Sequence, residues 1–171
     1  NNRDGYFSLY LCEAATGKVL KRLTDVNADV EMVGQDDKFV YYTSAEVSPV
    51  DNHLFRVEVK SGKKTRLTQA EGWHKVTMSG DMKYFVDNYS SLKVPRVILL
   101  VQNDGKKVKE LLKAEDPTKD YNFGEITLGT VKSADGKFNN YYRLIKPMNF
   151  DASRKYPVIV YVYGGPHSQM V

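Results

Sequence analysis

The residues best placed to do chemistry lie near the carboxyl end, where Tyr156-Pro157-Val158-Ile159-Val160-Tyr161-Val162-Tyr163 runs into Gly164-Gly165-Pro166-His167-Ser168-Gln169. The unbroken apolar run from Val158, bounded by Pro157 and Gly164, reads as a strand covered on both faces. Such a strand would carry the Tyr163 phenol to the carboxyl edge of its sheet, where open α/β sheets hold their ligands. Gly164 and Gly165 would let the backbone turn sharply and approach a substrate closely. In a chain with twelve Tyr, the same position also suits an aromatic that only packs. The residues alone leave both readings open.

Other chemistries find little support. No G-x-S-x-G elbow occurs in the sequence, and no Ser/His/Asp order can be assembled around one. His53, His74 and His167 are scattered and lack the His-x-x-x-His spacing of a metal site. Cys12 is the only cysteine, which excludes an internal disulfide and a cysteine-based metal centre. It falls in an apolar strand pattern and is expected to be a small buried side chain. No metal and no cofactor is expected. With 25 basic and 21 acidic residues, and many lysines in apparent turns, there is no basic stripe for a nucleic acid. No apolar run approaches the roughly 18 residues that span a bilayer. The chain opens at Asn1 without an initiator Met and stops at Val171 just past a turn, so both ends read as cuts and a fragment is expected.

The elements that must position Tyr163 are strands. Leu9 to Thr24, Leu54 to Thr68 and Val97 to Leu112 are versions of one pattern, with turn glycines Gly17, Gly62 and Gly105 about 45 residues apart. A second hairpin recurs between them, Val30 to Tyr42 and again Lys75 to Val86, with turns at Asp37-Lys38 and Met82-Lys83. Four short antiparallel strands in each period is the arrangement of a β-propeller blade. Phe7, Leu9 and Leu11 alternate with Tyr6, Tyr10 and Cys12, so both strand faces carry apolar bulk, as stacked blades require. Trp73 is expected to pack within a blade. The period breaks at the polar stretch Lys113 to Asp120, which contains Pro117. Longer strands follow, Glu125 to Ser133 and Phe138 to Ile145, around Asp135-Gly136-Lys137. The reading is mainly β: residues 1–119 hold about two and a half blades, and residues 120–171 begin a second domain of another class.

The Tyr163 turn resembles the prolyl oligopeptidase superfamily of serine peptidases (family S9), and within it the dipeptidyl peptidase IV branch. That branch carries a Val-Tyr-(small)-Gly-Pro-x-Ser-Gln stretch after a Lys-Tyr-Pro entry like Lys155-Tyr156-Pro157. Tyr41-Tyr42-Thr43-Ser44 and the Gly5-Tyr6 blade opening add to the likeness. Tyr163 together with Pro166 separates the chain from the acylaminoacyl peptidase and prolyl oligopeptidase branches. The resemblance implies that residues 120–171 are the first strands of an α/β-hydrolase sheet. It implies an exopeptidase that releases dipeptides from free amino termini, preferring Pro or Ala second, through an acyl-enzyme. Tyr163 would be the catalytic oxyanion donor, supported by the Gly164, Gly165 and Pro166 turn. Nucleophile, acid, base and the acidic pair that grips the substrate amine would lie outside these residues, leaving the fragment inactive. The parent would be an exported homodimer acting on peptides. Two alternatives remain: another S9 peptidase, or a non-enzymatic propeller that binds proteins.

Overall fold

A computed structural model describes residues 2–3 and 5–164. Among them the regular elements are all strands, and every sheet is antiparallel. The chain divides into two compact units, Asn1–Glu115 and Asp116–Val171.

In the first unit, β1 (Tyr10–Cys12) pairs with β2 (Val19–Arg22) as a short hairpin. A four-stranded sheet follows in the order β3 (Val30–Gln35), β4 (Phe39–Ser44), β5 (His53–Glu58), β6 (Lys64–Arg66). The next sheet again has four strands in sequence order: β7 (Trp73–Met78), β8 (Tyr84–Ser90), β9 (Val97–Gln102) and β10 (Lys107–Lys113). Two complete blades and part of another are therefore present, with the hairpins where the repeats place them.

Adjacent residues on a strand point to opposite faces, and the core shows why both faces must be apolar. On β4, Tyr42 joins Phe55, Val57, Val30 and Val40 in one cluster, flanked by Leu9, Leu23, Val26 and Val59. Its neighbour Tyr41 joins Leu54, Leu67, Phe85 and Val101 in the other, against the following blade. Tyr41, Tyr42 and Leu54 are fully buried, and each such side chain stabilises the fold by about 1.5–3 kcal/mol. Tyr41 also needs a partner for its hydroxyl. Its Oη donates to Asp36 Oδ2 at 2.9 Å and accepts from Asn103 Nδ2 of the next blade at 3.3 Å. Burial works to raise the Asp36 pKa. The Phe39 and Lys38 amides and the Tyr41 hydroxyl outweigh it and hold that carboxyl below its usual range.

One expectation fails in this unit. Cys12 is exposed, not buried. It ends β1, whose only hydrogen-bonded partner among the described strands is β2.

The second unit holds one hairpin, β11 (Ile126–Lys132) with β12 (Asn139–Ile145), in unbroken register from Ile126 opposite Ile145 to Lys132 opposite Asn139. Its turn repeats that of β7 and β8. Ser133 Oγ donates to Asp135 Oδ1 and receives the Phe138 amide, as Ser79 does with Asp81 and Tyr84. At the corresponding turn position Met82 has φ 57° and Gly136 has φ 72°. Beyond it, the Phe150 and Tyr156 rings lie 5.3 Å apart, and the Asp151 amide donates to the Tyr156 hydroxyl.

Candidate functional site

The apolar run expected to form a buried strand does not form one. Val158 to Tyr163 is irregular, and Val158 to Val162 are 78–96% exposed. A strand exists through its neighbours' hydrogen bonds, and among the described residues none pairs with this run. Tyr163 is 59% exposed, and the space around Gly164 is open, with nothing within 4 Å of where a Cβ would stand. Gly165 and Pro166, the rest of the expected oxyanion turn, lie outside the described residues, as does His167.

A second polar constellation was not anticipated from the sequence. The rings of His53 at the start of β5 and His74 on β7 meet at 5.1 Å, tilted by 35°, although the sequence separates them. Both side chains are buried. The segments carrying them are stitched together by a parallel bridge between Asn52 and Trp73. The Asn52 amide donates to the Gly72 carbonyl, and the His74 amide donates to the Asn52 carbonyl. Asn52 Nδ2 donates to the His74 carbonyl at 2.9 Å. His74 then stacks on Tyr89 at 4.6 Å, and His53 meets Phe55 edge-on at 6.5 Å.

The hydrogen bonds define what this column can do. His74 Nδ1 lies 2.8 and 2.9 Å from the two Asp87 oxygens, and Nε2 lies 2.9 Å from the Ala70 carbonyl. Both ring nitrogens of His74 are therefore occupied by protein partners. Neither is open to take a proton from a substrate. Thr68 Oγ1 accepts the Leu54 amide at 3.0 Å, and its hydroxyl hydrogen is left for His53 Nδ1 at 3.2 Å. Burial first, then the adjacent His74, pushes the His53 pKa down to about 4. The column is thus a sealed brace between blades, with the geometry of neither a general base nor a metal site. Among the described residues no group of three His, Cys, Asp or Glu side chains could hold a metal ion. One sequence signal pointed to it. Asp87 falls on the same face of β8 as buried Phe85, and a carboxylate at an inward position demands a buried partner.

The first blades match a known family model over residues 1–96, described as the N-terminal region of dipeptidyl peptidase IV. The chain belongs to the dipeptidyl peptidase IV family. Human dipeptidyl peptidase 8 is 32% identical over 145 residues, covering 78% of this chain and 16% of that protein. The solved dipeptidyl peptidase 4 of Porphyromonas gingivalis superposes with a TM-score of 0.80 at 28% identity, covering 92% of this chain and 23% of the other. A Bacteroides ovatus structure, provisionally given as a dipeptidyl aminopeptidase IV, superposes at 0.77 with 42% identity, over 90% of this chain and 22% of that one. The chain therefore spans less than a quarter of these dipeptidyl peptidase IV relatives. The superpositions show that the two solved structures share the fold described here over most of this chain.

Proposed function

We propose that these blades belong to a serine exopeptidase of the dipeptidyl peptidase IV type, which releases dipeptides from free peptide amino termini with Pro or Ala second. The observation that carries this reading is the family match over residues 1–96 in a chain that continues to Tyr163-Gly164-Gly165-Pro166. In this reading residues 120–171 open an α/β-hydrolase domain, and the Val158 run becomes a strand once neighbouring strands flank it.

Tyr163 then donates its hydroxyl hydrogen to the oxyanion formed when a serine attacks the scissile carbonyl. A preorganised donor of this kind lowers the barrier by about 3–4 kcal/mol. The sequence holds no G-x-S-x-G elbow, so these residues supply a stabiliser and no nucleophile, and alone they hydrolyse nothing. The intact enzyme is a homodimer exported from the cytoplasm.

The test is Tyr163→Phe in the full polypeptide, assayed on a dipeptidyl-amide substrate. The substitution removes one hydroxyl and no packing surface. We expect kcat to fall roughly 10²–10³-fold with KM little changed. A kcat within about twofold of the unmodified enzyme would remove Tyr163 from the mechanism.

A further inference from the structure

Two residues at the joint between blades stand in each other's expected places. The β7–β8 turn repeats the β11–β12 turn, yet it carries Met82 at φ 57° where the other has Gly136 at φ 72°. A long side chain is uncommon in that left-handed region, which glycine enters freely. Hydrogen bonds hold the turn there. The Met82 amide donates to the Ser79 carbonyl at 3.0 Å, the Lys83 amide to Asp81 Oδ1 at 3.1 Å, and the Tyr84 amide to Ser79 Oγ at 3.0 Å. Across the joint, Gly34 lies on β3 just past a register shift between Met32 and Gly34. A Cβ at Gly34 would lie 2.7 Å from Met82 Sδ, 3.3 Å from Met82 Cε and 3.4 Å from Met78 Cγ. The Met82 thioether therefore fills a notch that the glycine leaves open.

That notch sits on the core between the two four-stranded sheets. Met82 and Met78 pack against the cluster of Tyr41, Leu54, Leu67, Phe85 and Val101. Met82 is only partly buried, and its neighbours Asp81 and Lys83 are exposed, so a small oxidant in water reaches the turn. A thioether suits an apolar rim, whereas its sulfoxide is polar. On the Gly34 side even a Cβ would clash with the sulfur, so a sulfoxide oxygen has no room there, and the apolar cluster offers it no donor. We propose that Met82 is a methionine-oxidation site whose conversion to the sulfoxide loosens the joint between blades. Hydrogen peroxide supplies the oxygen. The sulfur lone pair attacks one peroxide oxygen, the S–O bond forms as the O–O bond breaks, and water leaves; sulfur is oxidised and the peroxide reduced. The sulfoxide then swings out of the notch into water, and the rim of the cluster loses its cover. Methionine sulfoxide reductases supplied with a dithiol reverse the step, giving the thioether, a disulfide and water.

The site does not depend on the peptidase reading, and its test reads stability without turnover. The chain carrying Cys12→Ser, which removes the exposed thiol, is treated with hydrogen peroxide for increasing times. Peptide mass mapping gives the sulfoxide fraction at each methionine, and thermal denaturation gives the midpoint. We expect the midpoint to fall by about 5 °C as Met82 sulfoxide accumulates, and to recover after treatment with both epimer-specific reductases. Met82→Leu keeps the apolar bulk but takes up no oxygen, so it should abolish the fall. Met148→Leu, at a methionine that is 53% exposed, should leave the fall intact. If Met82→Leu fails to fold, the time course on the chain with Met82 decides, because the fall must follow the sulfoxide at Met82 and not that at Met32, Met78 or Met148. Three results overturn the proposal: an undiminished fall in Met82→Leu, an unchanged midpoint with Met82 fully oxidised, or a Met82 still reduced when Met32 and Met148 are fully oxidised.

Discussion

At position 72 the backbone conformation and the surrounding space both demand glycine. Gly72 has φ 130° and precedes Trp73 of β7. A Cβ there would stand 2.3 Å from the Ser90 carbonyl oxygen and 3.0 Å from the Ser91 side chain. Neither the strained φ nor the backbone oxygen can give way cheaply, because the Gly72 carbonyl already accepts the Asn52 amide in the seam between blades. Gly72→Ala should therefore destabilise the protein by about 2–4 kcal/mol, read as a fall in the denaturation midpoint. Gly34 is the control. A Cβ there meets Met82 Sδ at 2.7 Å, the end of a flexible side chain that can swing away, so Gly34→Ala should cost clearly less. Equal losses at the two sites would mean that the seam is not held as described.

Between elements, the brace of His53, His74 and Asp87 makes the joint between blades sensitive to acid. His53 is 2% exposed, and its pKa is lowered from 6.5 to about 4. The unfolded chain therefore binds the proton more readily than the folded one between those values. The stability gained from a neutral His53 is complete above pH 6.5 and is lost as pH falls toward 4. By linkage the full loss is on the order of 3 kcal/mol. Denaturation midpoints measured from pH 7.5 down to 4.5 should fall in that window, and His53→Gln should flatten the slope whatever its effect at pH 7.5. An unchanged slope would place the acid sensitivity elsewhere. The repeats announced the strands around this brace because alternation and turn chemistry are local. Lys83 and Gly62 mark turns from the sequence alone. The meeting of His53 with His74 was not legible, since it arises from the stacking of one blade on another. Only the charge of Asp87 among apolar neighbours hinted that such a partner existed.

Over the whole chain, the readable part was the periodic part. Residues 30–113 carry two four-stranded sheets, the first with apolar clusters on both faces, and the sequence pattern is enough to place them. Val158 to Tyr163 carries an equally strong pattern, yet burial on both faces also requires strands to pair with, and among the described residues it has none. The two units consequently differ in how they should resist a protease. Tyr121 and Phe123 precede β11 and are 70% and 60% exposed, and Tyr161 is 82% exposed. Tyr41, Tyr42, Phe55 and Phe85 are buried within paired strands. Cleavage needs an extended, accessible backbone, and local opening is easiest where few apolar contacts and few strand pairings hold the chain. Brief chymotrypsin digestion at low enzyme ratio should therefore cut first after Tyr121, Phe123 and Tyr161, leaving a resistant product that retains both four-stranded sheets. Mass spectrometry of the early products reads this directly. First cuts within β4, β5 or β8 would mean that the blades do not form a stable unit, and resistance at Tyr161 would mean that its segment is paired in solution.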